Sequence, residues 1–239
     1  MEKLLSKTWT LPLEMGGTFE KKLLINTINT HSYNVALKDQ GFYDALMKSD
    51  ILLPDGHGVV FAIWMLEGKW VKKIAGYDLL VYELNQLNSV GGKCFFLGST
   101  PKVLQLIEKR MSHEYPQVIV KTYSPPFKPE FSADDNEKMI NAVNKFEPHV
   151  LFVGMTAPKQ EKWAAAHFEA LNAMHVGSIG ASFDFFAGTI KRAPGWMIWL
   201  GFEWLFRLVY EPKRLWERYL IGNPRFIYSV LKQKFFQKA

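Results

Sequence analysis

The sequence predicts an α/β fold with a Rossmann-like, mainly parallel sheet flanked by helices, followed by a C-terminal helical appendage. Short apolar runs of strand length alternate with longer helical patterns between residues 23 and 179, as in parallel sheets whose crossovers are helices. Several of these runs end at a glycine turn that leads into a helix. After Pro194 only helical patterns follow. We therefore predict an α/β domain over residues 1–195 and a helical appendage over residues 196–239.

Residues 1–22 form a weakly patterned leader, with Pro12, Gly16 and Gly17, that has room for one edge strand. Strands are predicted where apolar runs stop at polar or glycine-rich turns, namely Leu23–Ile28, Ile51–Leu53, Cys94–Leu97, Val118–Tyr123, Val150–Val153 and His175–Ile179. Helices are predicted where apolar spacing or a capping residue indicates one, namely Tyr33–Lys48, Val59–Leu66, Asp78–Leu87, Pro101–His113, Asp134–Phe146 and Ala164–Ala170.

Composition narrows the class of protein. A chain of 239 residues can bury one α/β core and still carry an appendage. The single cysteine, Cys94, lies in an apolar run, so neither a disulfide nor a cysteine metal site is expected, and a reducing compartment fits best. The first residues have no apolar signal region. The longest apolar stretch, Trp196–Tyr210, is short for a membrane span and contains Glu203 and Arg207.

The positive charge is concentrated in the appendage. Residues 196–239 contain eight Lys and Arg against three Glu, and four of the eight Trp. This combination is typical of a segment that docks on an anionic membrane surface. The ordinary alternative, an apolar helix face that packs on the protein, stays open. A homo-oligomer formed through this segment also stays open. A sequence pI near 9.2 permits nucleic-acid binding, but charge confined to a Trp-rich tail argues against that partner.

The turn around Asp55 is the strongest candidate for a catalytic site. Asp55 stands between an apolar run that ends at Leu53 and a helical run that begins at Val59. Gly56 and Gly58 follow it on the same turn, and glycine lets the main chain adopt angles closed to other residues and lets a ligand approach closely. A carboxylate is thereby presented at the sheet edge. The alternative role, a structural cap for the following helix, is equally compatible with the spacing.

Two further strand ends resemble each other. Gly98 is followed by Ser-Thr-Pro-Lys and Gly154 by Met-Thr-Ala-Pro-Lys. A strand, a glycine turn and a capped helix leave free backbone N–H groups that suit a phosphate. Two such units side by side at the carboxyl edge of a parallel sheet would hold a diphosphate.

The sequence lacks the motifs that are characteristic of several reaction classes. The chain has no Gly-x-Gly-x-x-Gly at its first βα unit, no P-loop, no Ser nucleophile elbow, no His pair at zinc spacing and no Asp-x-Asp. We therefore expect neither a cofactor nor a metal. The remaining groups are a turn-borne carboxylate, which can take a proton from an alcohol, and basic side chains, which can stabilise a departing diphosphate.

Ordered motifs along nearly the whole chain resemble one family. They are Thr27-Ile-Asn29, Leu-Pro-Asp55-Gly-His-Gly-Val-Val, Ala-Gly-Tyr-Asp78-Leu, Phe-Leu-Gly98, Val-Gly-Met-Thr-Ala-Pro158-Lys159-Gln160-Glu161, Phe-Asp-Phe-Phe-Ala-Gly188, Arg192-Ala-Pro194, Glu203-Trp204-Leu-Phe-Arg207-Leu and Glu211-Pro212. Together they resemble the WecG/TagA/CpsF glycosyltransferases. The resemblance implies inverting transfer of a sugar, often of N-acetylmannosamine type, from a UDP-sugar donor to a polyprenyl-diphosphate-linked sugar at the cytoplasmic membrane face.

The resemblance also implies roles for residues. Asp55 is the expected general base, with Thr27 and Asn29 in the same pocket, and Lys73 stands where the family usually has Arg, so it lacks the bidentate fork. Substrate-binding roles are expected for Gly56, Gly58, Asp78, Gly98, Gly154, Lys159, Gln160, Arg192, Arg207, Arg214 and Arg218. The appendage is expected to close over the site, with Arg214 and Arg218 as catalytic helpers.

Each role has a structural alternative that stays open. Thr27, Asn29 and Asp78 suit helix caps, and the two strand-end glycines suit simple turns. Lys159 and Glu161 suit solvated first-turn charges, and His57 suits packing. At the level of the whole protein, the alternative is a nucleotide-sugar-binding or scaffolding subunit at the membrane that has no chemistry of its own.

Overall fold

One sheet of six parallel strands organises the part of the chain that the computed structural model describes, residues 2–7 and 19–236. The strands are β1 (Leu23–Ile28), β2 (Ile51–Pro54), β3 (Lys93–Gly98), β4 (Ile119–Tyr123), β5 (Val150–Gly154) and β6 (His175–Ser178). They lie in the order β2-β1-β6-β5-β3-β4, and every neighbouring pair is parallel. The predicted α/β fold with a parallel sheet is confirmed.

Helices flank the sheet and form the C-terminal region. They are α1 (Glu2–Ser6), α2 (Thr30–Ala36), α3 (Gln40–Lys48), α4 (His57–Glu67), α5 (Gly76–Val90), α6 (Pro101–Glu114), α7 (Ala133–Phe146), α8 (Lys159–His167), α9 (Ser182–Ala187), α10 (Gly195–Trp199), α11 (Glu203–Tyr210), α12 (Pro212–Trp216) and α13 (Gly222–Phe236). A 3₁₀ turn, Phe168–Ala170, follows α8, and a π turn, Glu217–Ile221, joins α12 to α13.

One prediction of local structure is wrong, and a second can be compared with the structure only in part. The helix predicted from Tyr33 to Lys48 is two helices, because Asp39 caps α3 by accepting a hydrogen bond from the backbone N–H of Phe42 at 3.0 Å. Near the start of the chain, where we expected an edge strand, Glu2–Ser6 is helical and buries Leu4 and Leu5. The rest of that expectation, with Pro12, Gly16 and Gly17, lies on residues 8–18, outside the described residues.

Alternating strand residues supply the two faces of the core. On one face Leu23 and Ile25 of β1 join side chains of α5, α6 and α9. On the other face Leu24 joins side chains of α7 and α8, and Ile28 joins those of α2, α3 and α4. Burial on both faces explains why the strands are nearly continuous apolar runs.

The last helix packs on the domain. Phe226 and Val230 of α13 are buried in the same cluster as Tyr33 of α2, with the rings of Phe226 and Tyr33 edge to face at 5.1 Å. Burial of each such side chain stabilises by roughly 1.5–3 kcal/mol. The domain boundary at residue 195 stays a prediction, but α13 shares its core with the sheet domain. No helix in residues 2–7 or 19–236 is long and apolar enough to cross a membrane.

Candidate active site

The Asp55 turn lies at the carboxyl edge of the sheet, between β2 and α4. The backbone N–H of Asp55 donates to the carbonyl of Ile28 at 2.8 Å, which ties the turn to the end of β1. Gly56 then takes a φ of 106°, with nothing within 4 Å of where a Cβ would stand. The glycine therefore serves the backbone angle and leaves the space beside Asp55 open.

Asp55 does not cap the following helix. The N-cap of α4 is Gly56, and no side chain makes a capping hydrogen bond there. The Asp55 carboxylate instead accepts a hydrogen bond at Oδ2 from Asn29 Nδ2 at 3.4 Å. The capping alternative for Asp55 is wrong.

Asn29 combines the two roles that the sequence left open. Its Oδ1 caps α2 by accepting from the backbone N–H groups of His31 at 3.1 Å and Ser32 at 3.0 Å. This cap fixes the side chain so that Nδ2 faces Asp55. Thr27 lies on β1 in register with Leu53 of β2, which places it at the same end of the same strand pair.

Charges around Asp55 act in opposite directions on its acidity. Burial raises the pKa of the Asp55 carboxyl, and the positive charge of Lys73 opposes that shift. The negative charge of Glu203 raises the pKa further, whereas the bond from Asn29 and the charge of Arg218 lower it. The resulting pKa lies above the ordinary value of an Asp, so the ionised carboxylate is a stronger base than a free one.

Glu203, in the appendage, bridges two cations of the sheet domain. Its Oε2 lies 3.5 Å from Lys73 Nζ, and its Oε1 lies 3.5 Å from Arg192 Nε. Lys73 is held near Asp55 because its neighbour Ile74 donates a backbone hydrogen bond to Pro54 at 2.9 Å. The long-range pairing was missed, although Glu203 stands within one of the motifs that carry the resemblance.

Asp78 is part of the same network and also stabilises the start of α5. It occupies the third position of that helix, where Oδ2 accepts from the backbone N–H of Ala75 at 2.9 Å. Its Oδ1 accepts from Arg192 Nη2 at 3.1 Å, and the Arg192 guanidinium lies over the Tyr77 ring. The N-cap residue itself is Ala75, so Asp78 supports the cap without being it.

The appendage arginines differ in environment. Arg218, in the π turn, is largely buried; burial lowers its pKa, and Asp55 lies within range of its charge. Within the described chain, Nε of Arg218 and Nε of Arg207 are buried without a hydrogen-bond partner. Arg214 is exposed and pairs with Glu211. These arginines do not lie on one continuous helix, because α11 ends at Tyr210 and a π turn follows α12.

Two histidines face this cluster. Burial and the charge of Arg218 lower the pKa of His31 to about 4, so it is neutral at pH 7. His57 packs against Gly201 of the appendage, where a Cβ would lie 3.2 Å from its Nδ1. At Gly58 an added Cβ would lie 2.8 Å from Thr30 Cγ2, so this glycine serves packing. His31 was missed in the sequence, where its place two residues after Asn29 was the available signal.

The β3–β5 end of the edge is built differently. Gly98 and Gly154 lie in register, and a Cβ on Gly98 would stand 2.3 Å from the Gly154 carbonyl oxygen. A Cβ on Gly154 would stand 2.5 Å from the Phe183 ring. Both positions therefore require glycine for packing, whatever ligand they meet.

Side chains after β5 are occupied by the protein itself. Gln160 is buried; its Oε1 accepts from the Met155 N–H at 3.1 Å, and its Nε2 donates to Glu161 Oε1 at 2.8 Å. Lys159 donates to the Lys128 carbonyl and lies over the Phe131 ring at 3.5 Å. Glu161 is 2% exposed, and burial raises its pKa to about 7. The solvated alternative is therefore wrong for Glu161.

The arrangement unites a basic carboxylate with several cations. Around Asp55 it brings together Asn29, Lys73, Arg218 and, through Glu203, Arg192. It leaves Lys159 and Gln160 in contacts of their own. Within the described ranges, no group of three or more His, Cys, Asp or Glu is arranged to hold a metal ion. Such a site can accept a proton from a hydroxyl and hold an anion beside it.

Comparison with known proteins agrees with the resemblance in the motifs. The model of the glycosyl transferase WecG/TagA/CpsF family matches residues 14–239. N-acetylglucosaminyldiphosphoundecaprenol N-acetyl-beta-D-mannosaminyltransferase of Bacillus subtilis is 32% identical over 212 residues, which cover 88% of this chain and 80% of that protein. The proteins of the same name from Bacillus spizizenii (28%, covering 90% and 80%) and Staphylococcus aureus (29%, covering 89% and 81%) are also similar. The chain therefore belongs to the WecG/TagA/CpsF family and is a glycosyltransferase.

Proposed function

We propose that this protein transfers a sugar from a UDP-sugar to a polyprenyl-diphosphate-linked sugar, with inversion and without a metal. The sugar is of N-acetylmannosamine type or a related hexose or uronic acid. The product would enter a bacterial cell-surface polysaccharide, such as an exopolysaccharide or a teichoic acid-like polymer. The shared name of the relatives supports the acceptor class and the mannosamine type of sugar.

The observation that carries the proposal is the Asp55 carboxylate. Burial raises the pKa of this carboxyl, and a hydrogen bond from Asn29 orients it. The positive charge of Lys73 also acts on it. In a single displacement the acceptor hydroxyl oxygen attacks the anomeric carbon while its proton passes to Asp55. The bond from that carbon to the phosphate oxygen breaks, and UDP leaves with the electron pair. Attack opposite the leaving group inverts the anomeric centre. General base catalysis of this kind contributes about 10²- to 10⁴-fold.

Cationic side chains would stabilise the departing diphosphate. Lys73 and Arg218 act electrostatically on Asp55 from the sheet domain and the appendage. Arg207 and Arg218 each have a buried Nε free to donate within the described chain. Positive groups fixed in a partly buried site are effective where negative charge develops, which is the role that a metal plays in other enzymes.

Glu203 takes the place of substrate charge in the free protein. Its carboxylate bridges Lys73 and Arg192, two cations that a diphosphate would also attract. A donor diphosphate that enters would compete with Glu203 for them. The appendage would then lose the contact of Glu203 with Lys73 and Arg192 and would bind the substrate through its arginines.

The nucleotide would bind beside the Asp55 cluster, at the β3–β5 end of the carboxyl edge of the sheet. The chain leaves β3 towards β4 and leaves β5 towards β6, in opposite directions across the sheet. Ligands of open α/β sheets bind outside the carboxyl ends of the strands at such a reversal. Gly98 and Gly154 keep the edge free of side chains there, and Gln160 and Lys159 line the turn that follows β5.

The appendage would dock the enzyme on the inner face of the cell membrane, where the lipid-linked acceptor is found. Large apolar side chains on α10, on α11 and in the connection between them are exposed, namely Trp196, Trp199, Leu200, Phe202, Leu205, Val209 and Tyr210. Interfacial segments that combine such side chains with basic residues bind anionic bilayers. A peripheral enzyme so placed meets a diphosphate at the lipid surface.

The test is a transfer assay. A panel of UDP-sugars is offered with a short-chain lipid-diphosphate sugar, and UDP release and product are measured. Asp55→Asn should lower turnover about 10²- to 10⁴-fold, while its circular dichroism spectrum stays that of the folded wild type. The matched control is Asp134→Asn, an exposed carboxylate at the start of α7, which should retain full turnover.

Two outcomes would contradict the proposal. Near-normal turnover of Asp55→Asn would remove the base, and activity abolished by a chelator and restored by a divalent cation would remove the metal-free mechanism. Donor binding without transfer to any acceptor would favour the scaffolding alternative.

A further inference from the structure

Three aromatic side chains outside the appendage form a continuous exposed ladder. The Phe61 and Trp64 rings of α4 lie 5.5 Å apart, and Trp64 stacks on Trp70 at 5.1 Å with an interplanar angle of 24°. Their exposed fractions are 48%, 39% and 69%. We call Phe61, Trp64 and Trp70 the aromatic ladder.

The ladder is not a part of the core that happens to reach the surface. The opposite side of α4 supplies Val59, Ala62 and Ile63 to the apolar cluster that covers β1 and β2. Helical spacing sends Phe61 and Trp64 outward instead. Adjacent exposed rings of this size form an apolar patch of the kind that marks an interaction site.

The charges beside the ladder fit an anionic partner. Exposed Lys69 and Lys72 flank Trp70 in the chain, and Lys234 donates to the Met65 carbonyl at 2.6 Å. Glu67 is the acidic residue on this segment. Aromatic rings with lysines around them are characteristic of the interface between water and a bilayer, where the ring is half-buried and the ammonium reaches the headgroups.

The ladder is next to a second outward-facing apolar stripe. Helix α13 packs on α4 through Phe226 and Val230. Its outer side carries Ile227, Leu231 and Phe235, all exposed. Two neighbouring helices, one from the sheet domain and one from the C-terminal region, thus both present apolar side chains to the outside.

We propose that the aromatic ladder is a second membrane-contact surface, which inserts into the interfacial region of an anionic bilayer and belongs to the sheet domain. This inference rests on the membrane location in the proposed function. Helix α4 starts two residues after Asp55, and the eight residues from His57 to Trp64 span about 10 Å of helix axis. The ladder would therefore hold the Asp55 turn close to the lipid surface through the helix that begins at that turn, in addition to any contact made by the appendage.

The experiment compares sedimentation with vesicles of phosphatidylcholine, with and without phosphatidylglycerol. The full-length protein should bind the anionic vesicles, and Trp64→Ser with Trp70→Ser should bind roughly tenfold more weakly, since each ring loses apolar contact with lipid. The matched control is Phe127→Ser, a fully exposed aromatic beyond β4, at the opposite edge of the sheet, and it should bind like the wild type. Lys69→Glu with Lys72→Glu should weaken binding only when phosphatidylglycerol is present.

Each other outcome overturns the inference. Wild-type affinity in the Trp64 and Trp70 double variant would show that lipid does not contact the ladder. A change from dimer to monomer in that variant, with vesicle affinity unchanged, would assign the ladder to a second copy of the chain. Absence of vesicle binding by the wild type would also overturn it. Transfer to a short-chain acceptor without vesicles tests the proposed function separately, and the double variant should retain it.

Discussion

The two ends of the carboxyl edge of the sheet contrast in what their polar groups are free to do. At the β1–β2 end, Asp55 accepts a long hydrogen bond from Asn29 and lies among Lys73, Glu203 and Arg218. At the β3–β5 end, Gln160 and Lys159 are hydrogen-bonded within the protein. Both ends are built from a strand, a glycine turn and a helix. The β1–β2 end therefore carries a carboxylate and cations that can contact a substrate. The β3–β5 end is a closely packed surface of backbone atoms.

Glycine is required for different physical reasons at the two ends of the sheet edge. Gly98 is required because the main chain of Gly154 lies where its Cβ would be, whereas Gly56 is required by its φ alone and faces open space. A glycine forced by packing says little about function. A glycine forced by backbone angle, beside open space and a buried carboxylate, is a better indicator of a catalytic turn.

The largest effect on stability is expected from a pair of glycine substitutions, one at each end of the sheet edge. Gly98→Ala should cost about 3 kcal/mol or more of unfolding free energy, because the clash is with backbone that cannot move away and the φ is also unfavourable. Gly56→Ala should cost about 1–2 kcal/mol, from backbone strain only. Urea denaturation measures both. Equal losses would show that packing does not distinguish the two ends.

A smaller effect is expected from Glu161→Gln, at the β3–β5 end. The folded pKa of about 7 lies above the ordinary value of 4.5, so the stability that the protonated Glu161 carboxyl contributes is fully present below pH 4.5 and is lost as the pH rises towards and through 7. The amide of the Glu161→Gln variant stays neutral at every pH. The unfolding free energy of the variant relative to that of the wild type should therefore rise by about 2–3 kcal/mol between pH 4.5 and pH 8.

Denaturation at these two pH values tests the Glu161 prediction. The exposed Glu137→Gln on α7 is the control and should show no such trend. A pH-independent difference between Glu161→Gln and the wild type would mean that folding does not shift the pKa of Glu161, and a fall in the relative stability of the variant would mean that the buried carboxyl is stabilised in its charged form.

The smallest effect should appear in the pH dependence of kcat/KM. Asp55 must be ionised to act as a base, so activity rises with pH through its pKa. Lys73→Met removes a charge that lowers this pKa and should move the acid limb to higher pH. Glu203→Gln removes a charge that raises it and should move the limb to lower pH. Shifts in the same direction would contradict the electrostatic account, since general loss of structure would not produce opposite signs.

Much of the β1–β2 end could be predicted from local sequence. A carboxylate directly after a buried strand, followed by two glycines, has few structural uses, and parallel strands bring their ends together. The link between Glu203 and Lys73 could not be predicted, because the two residues are 130 positions apart and pair only after α11 has docked. The division of the helix from Tyr33 to Lys48 was missed because a single cap, at Asp39, overrides a continuous apolar pattern.

The π turn at Glu217–Ile221 links two tasks of the C-terminal helix. Arg218 must face Asp55, and Phe226 and Val230 must face α2 and α4. In an α-helix each residue advances by about 100°, so loss of one residue from the wider turn would rotate one of these groups away from its target. We therefore expect an insertion or deletion in the π turn to disturb the site and the packing of α13 more than a substitution of an exposed residue there.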